Sequence, residues 1–116
     1  MADKFQDEVM SEAELDNVAG GNYVELQKDM KFFAALGLID AADVPKVVNY
    51  QNFNDINRTV YETWQQFKIN LSGSEAVKNG YTLPGDAQAF GNTRRGAMNY
   101  AKYMSGRGDV NVDNFI

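Results

Sequence analysis

The sequence predicts a mainly α, small helical domain of about three main helices, preceded by a short helical segment. Three observations carry that prediction. Apolar residues recur every three or four positions in three separate stretches, the spacing of a helix face. A glycine follows each of those stretches, where a helix is expected to stop. A chain of 116 residues with a hydrophobic fraction of 44% has material for one modest core and room for one domain.

The first main helix is expected to start at Asn22 as N-cap, with Glu25 at the third helical position. Tyr23, Leu26, Met30 and Phe33 share one face, and Gly37 is the expected stop. "LIDAADVPKVVNY" follows, and Pro45 limits it to a short helix or an extended piece. The clearest helix runs from Asn54 to Leu71: Ile56, Val60, Trp64, Phe67 and Leu71 make one apolar stripe, capped by Asn54 or Asp55 and closed by Gly73. Trp64 on that stripe reads as a core residue. "SGSEAVKNGYTLPGD" is turn-rich. The last helix is expected from about Asn92 to Ser105, with Ala97, Ala101 and Met104 on one stripe, Tyr100 and Tyr103 flanking it, and Gly106 as the stop. Arg94 and Arg95 read as a solvated face. The tail "RGDVNVDNFI" has no clear period, and Arg107-Gly108-Asp109 reads as a turn.

Composition removes several function classes. Cysteine and histidine are both absent, so disulfides, thiolate nucleophiles, Cys or His metal sites and imidazole triads are excluded. No run of apolar residues is long enough to span a membrane. "MADKFQDEVM" carries acids where a secretory signal peptide needs a basic region. No pair of carboxylates stands out as an acid/base couple, no cofactor or metal is implied, and an enzyme is the least favoured class.

The net charge of −5 is unevenly placed. Residues 1–21 hold Asp3, Asp7, Glu8, Glu12, Glu14 and Asp16 against Lys4 alone. The remaining 95 residues carry ten bases and ten acids. Such asymmetry marks the first segment as having its own role. The balanced remainder has no basic bias toward nucleic acid.

That first segment has a local logic. Ser11 can cap the next turn, and Glu14, three residues on, can reach back to it as a capping box. Met10 before the cap and Leu15 can form a hydrophobic staple. Leu15 and Val18 are three apart and share a helix face. Gly20 and Gly21 then end the helix.

These residues resemble the double-glycine leader peptides that precede bacteriocins, other ribosomal peptides and small bacterial signalling proteins. "ELDNVAGG" fits that family's ELxxVxGG pattern, with Val18 at the near apolar position, Leu15 at the far one and Glu14 before it. The resemblance covers residues 1–21. It implies two parts: a leader over 1–21 and a helical cargo domain over 22–116, with the cut between Gly21 and Asn22. It implies a partner, the papain-like peptidase domain of an ABC exporter. Met10, Glu14, Leu15 and Val18 would be held as a helix in its groove. Gly20 and Gly21, lacking Cβ atoms, would thread its cleft. The precursor would be cytoplasmic and the cargo secreted, acting outside the cell as a bacteriocin-like or signalling protein, with an unknown extracellular target or an immunity protein as partner. The cargo is longer than usual for this family and has no cysteine for ring formation, so it reads as a small folded protein. The competing reading is an unprocessed intracellular helical protein-binding module.

Overall fold

The computed structural model describes residues 21–71 and 81–116. They form a mainly helical domain. Three α-helices carry it: α1 (Gly21–Ala35), α2 (Phe53–Gln65) and α3 (Arg94–Met104). Two short strands, β1 (Asn70–Leu71) and β2 (Tyr81–Thr82), pair antiparallel with Asn70 opposite Thr82 and Leu71 opposite Tyr81. Three 3-10 turns, at Ala41–Asp43, Gly85–Phe90 and Val112–Phe115, complete the described elements.

Helix α1 buries the face its sequence announced. Leu26, Met30 and Phe33 are buried, Phe32 and Leu36 widen the stripe, and Tyr23 is half-buried with its ring 5.4 Å from that of Phe53. The helix ends at Gly37, whose φ of +79° is open to a residue without Cβ. There the amide of Gly37 donates to Ala34 O and that of Leu38 to Phe33 O, the bond pair of a Schellman ending. The following segment makes one 3-10 turn and then runs extended. The Gln27 side chain pins it to α1 by donating to the carbonyls of Pro45 and Lys46.

Helix α2 departs from expectation at both ends. It starts at Phe53, after a turn in which the Asn49 and Asn52 side chains accept from each other's backbone amides at 3.2 and 2.8 Å. It stops at Gln65, well short of Leu71. Lys68 takes the left-handed conformation, φ 62°, and the same bond pair closes the helix: Lys68 N to Gln65 O and Ile69 N to Trp64 O. The expected stop at Gly73 lies outside the described residues. The reason is a change of period. Ile69 and Leu71 are buried with Asn70 exposed between them, the alternation of a strand. Val60 and Trp64 stay on the helical stripe, while Leu71 reaches the core from β1.

Helix α3 starts at Arg94, capped by Thr93, whose Oγ1 accepts from Gly96 N at 3.0 Å. Asn92 instead ties β2 to the start of α3. Its carbonyl accepts from Tyr81 N and its side chain from Leu83 N. Ala97 and Ala101 are fully buried with Met98, but Met104, expected on the same stripe, is 55% exposed at the last residue of the helix. Gly106, φ +70°, ends α3 with a third Schellman pair, Gly106 N to Tyr103 O and Arg107 N to Lys102 O.

Trp64 is the centre of the core. Its ring meets Phe33 edge-on at 4.9 Å and Tyr81 at 5.5 Å, and it stacks beside Phe32 at 6.2 Å. The tail closes over this centre. Val112 is buried, and the Phe115 ring lies 5.5 Å from Phe32. Arg107, Gly108 and Asp109 form an exposed turn, in which Val110 N bonds Arg107 O.

Candidate functional site

Of the residues expected to form the recognition and cleavage site, Met10, Glu14, Leu15, Val18 and Gly20 lie outside the described residues. Gly21 and Asn22 are described, and both are helical, within α1. Asn22 is therefore a helical residue and not the N-cap. The early turns of α1 are positioned by Leu26, the first fully buried anchor after them.

The strongest polar feature of the described fold is one that sequence reasoning missed. Asp29 sits on the apolar stripe of α1, between Leu26 and Met30 and one turn before Phe33, and is 0% exposed. Arg94, at the start of α3, pairs with it: Nη2 lies 2.6 Å from Oδ1. Arg94 is thus not part of a solvated face, and its side chain is only 11% exposed. Arg95 does stay at the surface, paired with Asp113. The pair sits inside a larger network. The Trp64 indole N–H points at Asp29 Oδ2 at 3.4 Å, Arg94 Nη1 reaches the Tyr81 hydroxyl at 3.4 Å, and Arg94 Nη2 donates to Phe115 O at 2.8 Å. Side chains from α1, α2, β2 and α3 and a backbone carbonyl of the tail therefore meet at one point.

The electrostatics follow from burial. Enclosure pushes the Asp29 carboxyl up to about 6. The Arg94 charge and the hydrogen bonds from Arg94 and Trp64 work against that rise, and the negative charge of Glu25 adds to it. Burial likewise raises the Tyr81 hydroxyl, with the Asp29 charge adding to the effect. For Arg94, burial alone would lower its pKa, but the charges of Asp29 and Tyr81 outweigh it and the net direction is up. The contact at Oδ1 is short but poorly directed, since Oδ1 and the Arg94 Nε are both buried without a well-aligned hydrogen bond. A carboxylate so enclosed has no route to a substrate. The network clamps helices to tail.

One signal could have exposed the pair. A charged residue at helical spacing within an otherwise apolar stripe must be neutralised or paired once buried. Asp29 met that description, and an arginine three residues before the buried Ala97 of another helix was a candidate partner.

Among the described residues no three His, Cys, Asp or Glu side chains gather as metal ligands. Among them, too, no helix is long and apolar enough to cross a membrane. Comparison of the chain with family models, with curated proteins and with solved structures finds no significant match.

Proposed function

We propose that this chain is a bacterial precursor exported by a peptidase-containing ABC transporter, which removes residues 1–21 by cutting between Gly21 and Asn22. The cargo is a small helical protein that acts outside the cell by binding, as a bacteriocin-like or signalling protein, and not by catalysis. One observation carries the reading: the leader pattern Glu14, Leu15, Val18, Gly20-Gly21 ends where the excess negative charge of the chain ends.

The fold is compatible with such a cut. A peptidase needs an extended strand at the scissile bond, and Gly21 and Asn22 are helical. Cleavage therefore requires this part of α1 to open. Leu26 and Met30 hold the rest of α1 in place.

The test is N-terminal sequencing of protein from culture medium and from cells, in a strain co-expressing a peptidase-containing exporter. The reading expects a chain in the medium that begins at Asn22, and none when Gly20→Val blocks the cleft. An intact chain kept inside the cell sinks the export reading and supports an intracellular binding module.

A further inference from the structure

The three Schellman endings are not equivalent. Glycine occupies the left-handed position at Gly37 and Gly106, whereas α2 uses Lys68. A side chain in that conformation brings its Cβ against the following carbonyl, so lysine there lowers stability relative to glycine. Residues held against a local rule are expected where function requires them.

Lys68 lines a groove. With Gln66 and Phe67 it forms one wall at the end of α2. Asp86 stands on the 3-10 segment, and Tyr100 and Met104 of α3 supply further lining. The groove encloses about 310 Å³, at the lower bound of small-molecule sites. Aromatic surface continues outward from it. The Phe90 ring lies 5.8 Å from Tyr100 and 5.9 Å from Tyr103, which is 67% exposed.

We propose that this groove binds a neutral carbohydrate, with Lys68, Asp86 and Gln66 reading its hydroxyls and Phe67 and Met104 packing on the sugar face. The choice of ligand follows from the lining. An ammonium donates only, a carboxylate accepts only and an amide does both. Hydroxyl groups, each donor and acceptor, suit that mixture. The Lys68 and Asp86 charges offset one another, so the groove is not built for an anion. A wholly apolar partner helix would strip water from both charges without replacing it. A sugar ring has an apolar C–H face for the half-buried Phe67 and the exposed Met104, with the largely buried Tyr100 as floor, and polar edges for the other three. This inference is independent of the export reading, because it concerns only the cargo surface and is tested on purified protein.

The experiment is an amide chemical-shift titration of the full ¹⁵N-labelled chain with maltose, cellobiose, lactose and chitobiose. At least one disaccharide is expected to give saturable shifts at Lys68, Asp86 and Tyr100. Lys68→Gly is the diagnostic variant. Relief of the left-handed lysine should raise Tm by about 4 °C or more, while loss of the ammonium weakens binding by about tenfold or more. Asp86→Ala, at an exposed position, should weaken binding with Tm unchanged. No saturable shift at these residues with any of the four sugars overturns the proposal. So does undiminished binding by Lys68→Gly and Asp86→Ala.

Discussion

Replacing Arg94 with methionine tests the buried network most directly. The substitution keeps an apolar stem and removes the guanidinium. Three contacts go with it: the ion pair to Asp29 at 2.6 Å, the bond to Phe115 O at 2.8 Å and the contact with the Tyr81 hydroxyl at 3.4 Å. The Asp29 carboxylate stays fully enclosed, with only the Trp64 indole N–H directed at it. Removing one partner of a buried pair costs about 3–5 kcal/mol, a large share of the roughly 5–15 kcal/mol that stabilises a typical domain. The pH dependence has a definite sign. The folded carboxyl titrates at about 6, above its ordinary value of 3.8. The folded chain therefore binds more protons than the unfolded chain between those values. This group makes the protein less stable above pH 6 than below pH 4, by about 3 kcal/mol for a rise from 3.8 to about 6. Without Arg94 the carboxyl rises further, so the variant's deficit is full at pH 7.5 and shrinks toward pH 4, where Asp29 is protonated in both proteins. The assay is urea unfolding of the full chain at pH 7.5, 6 and 4.5, followed by the fluorescence of Trp64, the single tryptophan. The double variant Asp29→Leu with Arg94→Met removes both charges and should return to within about 1 kcal/mol of the parent. A deficit for Arg94→Met below about 1 kcal/mol at pH 7.5, or one that does not change with pH, would refute the network as described.

Three further substitutions probe other parts of the chain. A Cβ at Gly96 would collide with the backbone carbonyls of Phe90 and Gly91, so Gly96→Ala should destabilise by about 1–3 kcal/mol in the same urea assay; an unchanged midpoint would mean that α3 does not meet the Gly85–Phe90 turn this closely. Ile69 is fully buried at the point where α2 gives way to β1, and Ile69→Ala is expected to cost about 2–5 kcal/mol; a cost under about 1 kcal/mol would place it outside the core. Leu15→Asp and Val18→Asp put a charge on the face that would enter the exporter's groove, so precursor should accumulate in cells. Continued release of chains beginning at Asn22 would count against recognition through these side chains.

How far the sequence discloses this protein depends on whether a position obeys its local rule. The ends of α1 and α3 were readable because Gly37 and Gly106 are the residues a left-handed ending favours. The end of α2 was not, because a lysine takes that role and Gly73, further on, offered a more ordinary stop. The period itself held the missing information: Ile69 and Leu71 alternate around Asn70, yet Leu71 also continues the helical spacing from Trp64 and Phe67. Only tertiary pairing of Leu71 with Tyr81 decides between the two. The resemblance to a double-glycine leader rests on spacing alone, and its residues up to Gly20 fall outside the described part of the fold. Arg94 was misread for a different reason. Beside Arg95 it looks like a surface pair, and whether a long cationic side chain is enclosed depends on what packs over it, which no local pattern encodes. Asp29, by contrast, broke a local rule in plain view, a charge on an apolar stripe. The fold resolves that breach internally, by placing Arg94 2.6 Å away. Lys68 breaks a rule of the same standing, but its breach faces outward, onto the groove wall. A violation answered within the core is accounted for by stability. The left-handed Lys68, exposed at the end of α2, has no such account within the core, and it is this residue that the proposed sugar site invokes.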